Sequence, residues 1–208
     1  MTRRRLKVAV LISGRGSNLQ ALIDACTDAD FPAEIVLVVS NVPDAPGLAR
    51  AKVASLPTAI VDHRNYASRE RFDDAVDGIL RDARADFICL AGFMRILGDA
   101  FVCKWEGRMI NIHPSLLPAF KGTHVHEQAI NAGVKTSGCT VHYVIPALDS
   151  GPIIARTEVP VLAGDTAETL AARVLEAEHK TYPMALQWIA EGKVRFENGR
   201  AVFSKDNA

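Results

Sequence analysis

Apolar and polar positions change period repeatedly along this chain. Residues 6–12 (Leu6-Lys7-Val8-Ala9-Val10-Leu11-Ile12) are almost continuously apolar, as a strand buried on both faces should be. After the turn Ser13-Gly14-Arg15-Gly16-Ser17-Asn18, Leu19, Leu22, Ile23 and Cys26 fall at i, i+3, i+4 and i+7, one stripe of a helix. Further strands are predicted at 35–39, 58–61, 87–90 and 108–112. Between them lie a short helix around 48–54 and a second one carrying Phe72, Val76, Ile79 and Leu80, with Ser68 placed to cap it. Strand, loop and helix in this repeated order predict an α/β fold: an open, mostly parallel twisted sheet with helices on both faces.

The pattern changes after Pro118. Residues 119–125 have mixed polarity around Gly122 and predict a mobile loop, followed by a short helix over 126–132. Residues 140–144 alternate, as a half-buried strand does, and 153–161 read as another strand with Pro160 at its end or at a sheet edge. These are expected to be antiparallel additions. Residues 166–191 are helical, with Leu170, Val174 and Ala177 on one face and a kink or break at Pro183, which cannot bond the His179 carbonyl. Asn198-Gly199 between 194–196 and 201–203 is a strong hairpin signal near the C-terminus.

Composition narrows the function classes. At 208 residues, a single domain (1–208) is the first expectation. Lys plus Arg and Asp plus Glu are 24 each, so no excess charge points to nucleic acid or to an acidic membrane surface. Small-molecule partners fit better. No apolar run approaches the ~18 residues that span a bilayer, and the run after Arg3-Arg4-Arg5 is too short for a signal peptide. Those arginines read as a frayed, solvated tail, and the protein as soluble and cytoplasmic. Cys26, Cys89, Cys103 and Cys139 are scattered without a CxxC pair, which favours reduced thiols over disulfides or zinc.

The stretch Asn111-Ile112-His113-Pro114-Ser115-Leu116-Leu117-Pro118 concentrates the chemistry. Asn111 and His113 are two apart and share a strand face. The prolines that follow should end the strand and leave both residues at its carboxyl end, where open α/β sheets hold their ligands. Asp149, in Leu148-Asp149-Ser150-Gly151-Pro152, would hold one ring nitrogen of His113, leaving the other to exchange a proton or face an oxyanion. Asn111 adds a neutral amide donor suited to a developing negative oxygen. The loop Gly14, Arg15, Gly16, Ser17, Asn18 opens a helix and suits a phosphate monoester; a tight turn with a well-capped helix is the plainer reading. It lacks the ending of a Walker loop and the third glycine of a dinucleotide fingerprint. His124 and His126 form a weak pair without a third ligand, so no metal is expected. Acyl transfer between two bound small molecules fits the set.

Four motifs are recognisable together: Ser13-Gly14-Arg15-Gly16-Ser17-Asn18, Ala91-Gly92-Phe93-Met94-Arg95-Ile96-Leu97, the Asn111 to Pro118 block, and the Asp149 turn. In order and spacing the chain resembles the phosphoribosylglycinamide formyltransferases, within the folate-dependent formyltransferase superfamily. The resemblance implies transfer of a formyl group from 10-formyltetrahydrofolate to the amine of glycinamide ribonucleotide, a step of purine synthesis, with Asn111, His113 and Asp149 catalytic. It implies that Gly14 to Asn18 and Glu178 contact the ribonucleotide, and that Arg69, Met94, Arg95, Ile96, Leu97 and Asn111 contact the folate. The N-terminal half would carry the phosphate site and the C-terminal half the folate and catalytic parts, with a loop over 115–134 closing on the pterin. Without the resemblance, Glu178 reads as an exposed helix charge, Arg69 as half of an ion pair, and Met94, Ile96 and Leu97 as core. A formyltetrahydrofolate hydrolase and a methionyl-tRNA formyltransferase share the central block but carry additional domains. A non-catalytic nucleotide-binding protein would need only the glycine loop. Monomer and homodimer both remain open.

Overall fold

Burial on both faces decides where the first strands lie. β1 (Leu6–Ile12) is wholly enclosed from Val8 onward and pairs in parallel on both sides. On one side is β2 (Ala33–Ser40), with Val8 beside Ile35 and Ile12 beside Ser40; on the other is β4 (Phe87–Leu90), with Val8 beside Phe87. β3 (Thr58–Ile60) extends the sheet beyond β2, also in parallel. Parallel neighbours need crossovers. These are supplied by α1 (Ser17–Thr27), α2 (Gly47–Val53) and α3 (Arg69–Asp82), whose Leu19, Leu22, Phe72, Val76 and Leu80 are buried as their spacing predicts. Ser68 caps α3 by accepting the Arg71 N–H at 3.3 Å.

The structure is a computed structural model that describes residues 4–204. It divides into two compact units, residues 1–110 and 111–208. The first unit also holds α4 (Asp99–Lys104), a helix of 6 residues, too short to show a period in the sequence. β5 (Met109–His113) runs through the division, one residue later than its predicted span. In the second unit α5 (Val125–Asn131) leads to β6 (Thr136–Tyr143), which pairs antiparallel with β7 (Ile153–Pro160). α6 (Ala167–Ala190) packs on both of these strands, and β8 (Val194–Glu197) and β9 (Arg200–Phe203) form a separate hairpin. Asn198 and Gly199 both take positive φ, as a two-residue turn of this kind requires. The first seven strands bond in the order β3-β2-β1-β4-β5-β6-β7, the mostly parallel sheet with antiparallel addition that the alternation predicts.

Three expectations are corrected. β6 is not half-buried: every residue from Ser137 to Tyr143 is enclosed. Two of its polar members find partners inside, Thr140 Oγ1 donating to the Ser115 carbonyl at 2.7 Å and His142 Nδ1 facing the Tyr143 carbonyl at 2.8 Å. α6 continues through Pro183 without a break, the fully buried Tyr182, Ala185 and Leu186 around it outweighing one lost backbone bond. Arg3 lies outside the described residues, and Arg4 is exposed. Arg5, however, is no free tail: its guanidinium donates to the carbonyls of Cys26 and Ala33.

Candidate active site

In the first unit, Gly16 is the N-cap of α1 with φ 70° and ψ 30°, and no side chain caps that helix. The half-buried Ser17 and the buried Asn18 stand at this helix start, where N–H groups point along the axis. Glycine is required at Gly16 twice over, since a Cβ there would also stand 2.6 Å from the Gly47 Cα. The Gly14 carbonyl accepts the Gly47 N–H at 3.0 Å, and Arg15, itself exposed, is held through its carbonyl by Arg50. Ser13 is not distinguished by its sequence context, yet it joins two segments. Its Oγ donates to Asn41 Oδ1 at 2.5 Å and accepts the Met94 N–H at 2.8 Å.

The run after β4 is not core. Met94 is 73% and Ile96 58% exposed, whereas Leu97 is buried. Arg95 turns back over the Phe72 ring, 5.0 Å from its centroid. Arg69 stands exposed at the first turn of α3. Two large apolar side chains held out between inward-facing neighbours make a ledge for an apolar ligand face, which separates this run from ordinary packing.

In the second unit, the end of β5 and the turn after β6 bring Asn111, His113 and Asp149 together. His113 Nδ1 is 3.6 Å from Asp149 Oδ2, an ion-pair distance longer than a hydrogen bond. The other ring nitrogen, expected to be open, faces the Phe120 carbonyl at 2.9 Å. Both nitrogens therefore look at oxygen acceptors. The Gly122 N–H in turn donates to Asp149 Oδ2 at 2.9 Å, and Ser115 Oγ bonds the Ala119 and Phe120 carbonyls. The stretch read as a mobile loop is thus pinned here to both members of the His-Asp pair. Glu178 on α6 is buried rather than an exposed charge, close enough to Cys139 of β6 to help push its thiol, chiefly through burial, up to about 11.

A fourth side chain belongs to this cluster, and sequence spacing gave no signal for it. His142 is 2% exposed, with Nε2 3.4 Å from Asn111 Nδ2 and 3.9 Å from Asp149 Oδ1. Its Nδ1 faces the Tyr143 carbonyl, so the proton belongs there and Nε2 offers a lone pair to the Asn111 amide. Burial holds the His142 ring below the usual histidine range, with the Tyr143 carbonyl and Asp149 opposing. An unfolded chain therefore binds a proton at this site more readily as the pH falls below about 6.5. Stability from neutral His142 is present above that pH and lost below it. Thermal unfolding followed from pH 7.5 to 5.5 should show a smaller fall in Tm for His142→Gln than for the parent chain.

An α/β sheet that brings an amide and an imidazole at the end of β5 against a carboxylate in the turn after β6 has the groups that acyl-transfer chemistry uses. The formyl transferase family matches residues 6–186, and the chain belongs to it. It is 43% identical to the phosphoribosylglycinamide formyltransferase of Haemophilus influenzae over 94% of this chain and 92% of that protein. It is 54% identical to the trifunctional purine biosynthetic protein adenosine-3 of Bos taurus over 95% of this chain, which spans 20% of that longer protein. Among solved structures, glycinamide ribonucleotide transformylase 1 from Symbiobacterium toebii superposes with a TM-score of 0.93 at 43% identity, covering 96% of this chain and 94% of the other.

Proposed function

We propose that this chain transfers the formyl group of 10-formyltetrahydrofolate to the amine of glycinamide ribonucleotide, acting as one formyltransferase domain on small molecules in the cytoplasm, as monomer or homodimer. The observation that carries the reading is the convergence of Asn111, His113 and Asp149, with His142 behind the amide. The neutral amine attacks the formyl carbon, and a tetrahedral intermediate forms with a negative oxygen. An amide has two N–H donors. With one directed at His142 Nε2, the other is free to meet that oxygen, and the His113 ring donates beside it in exchange for the Phe120 carbonyl. Asp149 faces the imidazole and orients it, while the proton lost by the attacking nitrogen goes to N10 of the folate as the carbon–N10 bond breaks.

Folate release measured with and without glycinamide ribonucleotide tests the activity. Release only with the amine supports transfer; release without it indicates hydrolysis, and none in either case indicates a binding protein. The phosphate loop has its own test. A Cβ at Gly14 meets nothing within 4 Å among the described residues, so Gly14→Glu should keep the fold while setting a carboxylate beside the phosphate. The KM for the ribonucleotide should rise roughly tenfold or more, as like charges brought together cost several kcal/mol, with Tm unchanged. An unchanged KM would remove the loop from the site.

A further inference from the structure

Asp73 is a charged residue that the reaction above does not use, yet it is 5% exposed on the inner face of α3. Its Oδ2 accepts the Gly98 N–H at 2.7 Å, and its Oδ1 is buried with no hydrogen-bond partner among the described residues. A buried carboxylate left half-satisfied calls for a reason. Burial pushes the Asp73 carboxyl up from the ordinary carboxylate range, and the Gly98 N–H with the charges of Arg69 and Arg95 offsets part of that cost. These partners belong to the two segments that the resemblance to the formyltransferases gives to the folate. Arg69 begins α3, one turn before Asp73, and Arg95 lies in the run that ends at Gly98.

The contact is also sterically tight. A Cβ on Gly98 would stand 2.9 Å from Asp73 Oδ2 and 3.6 Å from the Arg69 Cδ. Gly98 is therefore the residue that lets the run approach α3, and Asp73 is what holds it there. With its far end fixed at Gly98 and its near end fixed by the Ser13 hydroxyl on the Met94 N–H, the run presents Met94 and Ile96 outward.

We infer that Asp73 is a positioning residue for the folate: by clamping Gly98 to α3 it sets Arg69 and the exposed Met94 and Ile96 in the register that receives the pterin-bearing substrate. The inference rests on the reading that these segments contact folate. A misplacement of about 1 Å in positioning groups can cost about 100-fold.

The test is titration with tetrahydrofolate, the product of the proposed reaction, together with steady-state kinetics and thermal unfolding. Asp73→Ala should weaken tetrahydrofolate binding by roughly 10- to 100-fold while changing the ribonucleotide KM less than about threefold. Asp73→Asn should restore most of the affinity, because its amide oxygen can still accept the Gly98 N–H. Gly98→Ala should weaken binding when Asp73 is present and add nothing when Asp73 is already alanine, since the atom its Cβ strikes is then gone. If Asp73→Ala does not fold, Gly98→Ala carries the test alone. Native tetrahydrofolate affinity in a folded Asp73→Ala protein, equal loss for both substrates, or additive effects in the double variant would overturn the clamp. Formyl transfer by the parent chain reports separately on the proposed function, so a clamp that fails leaves that reading standing.

Discussion

Replacing His113 by alanine should lower kcat by about 10²- to 10³-fold, the cost of losing one donor at an oxyanion, while leaving both KM values within a few-fold of their starting points. The reason is that His113 acts on charge which exists only in the tetrahedral intermediate. Its ring is buried and faces Asp149 through Nδ1, so in the proposed reaction only the Nε2 contact with the Phe120 carbonyl is exchanged for the reacting oxygen. Alanine also removes one of the two partners of the part-buried Phe120 carbonyl, the Ser115 hydroxyl remaining, which costs about 0.5 to 1.5 kcal/mol of stability, so the loss of rate is to be read at a temperature well below the variant's Tm. Asp149→Asn should lose kcat as well, because the amide keeps the shape but removes the charge facing the imidazole. Near-native kcat in either variant would separate these residues from the chemistry.

Gly151→Ala should be nearly as damaging, although Gly151 has no side chain to take part in the chemistry. A Cβ at this position would overlap the Tyr143 carbonyl oxygen, which is backbone and has no rotamer to give. That same carbonyl faces His142 Nδ1, and the Tyr143 N–H donates to the Pro152 carbonyl at 2.9 Å, so the extra methyl pries open the seam between the end of β6 and the Asp149 turn. Asp149 sits at φ 46°, a left-handed conformation uncommon outside glycine that aspartate tolerates better than most residues. Displacement by about 1 Å is enough to spoil alignment with His113, and roughly 100-fold in kcat/KM should be lost together with several degrees of Tm. Circular dichroism and kinetics on the same sample check this; full activity at unchanged Tm would show that the seam yields without moving Asp149.

Both effects depend on relations that were only partly legible in the sequence. The strands buried on both faces, the helix stripes and the Asn-Gly hairpin follow from periodicity, because burial itself writes the period into the chain. Asn111 and His113 could be paired because two residues along a strand share a face, and Asp149 could be added because its turn residues stand out. His142 could not. Its neighbours Val141 and Tyr143 mark it as one more strand residue, and only the antiparallel return of β7 brings the Asp149 turn back to it. The Phe120 carbonyl and the Gly122 N–H carry no side-chain identity at all, so backbone groups that complete a site leave no trace in composition. Met94 and Ile96 show the converse case: apolar letters that read as core are held outward by Ser13 and Asp73, partners 81 and 25 positions away along the chain.

Membership in the formyl transferase family gives these contacts their chemical meaning, and the fate of one carbon atom tests it. With 10-formyltetrahydrofolate labelled in the formyl carbon and glycinamide ribonucleotide in excess, label recovered in the formylated ribonucleotide should equal the tetrahydrofolate released, with none in free formate. Label appearing as formate at the rate of folate release, whether or not the amine is present, would contradict it.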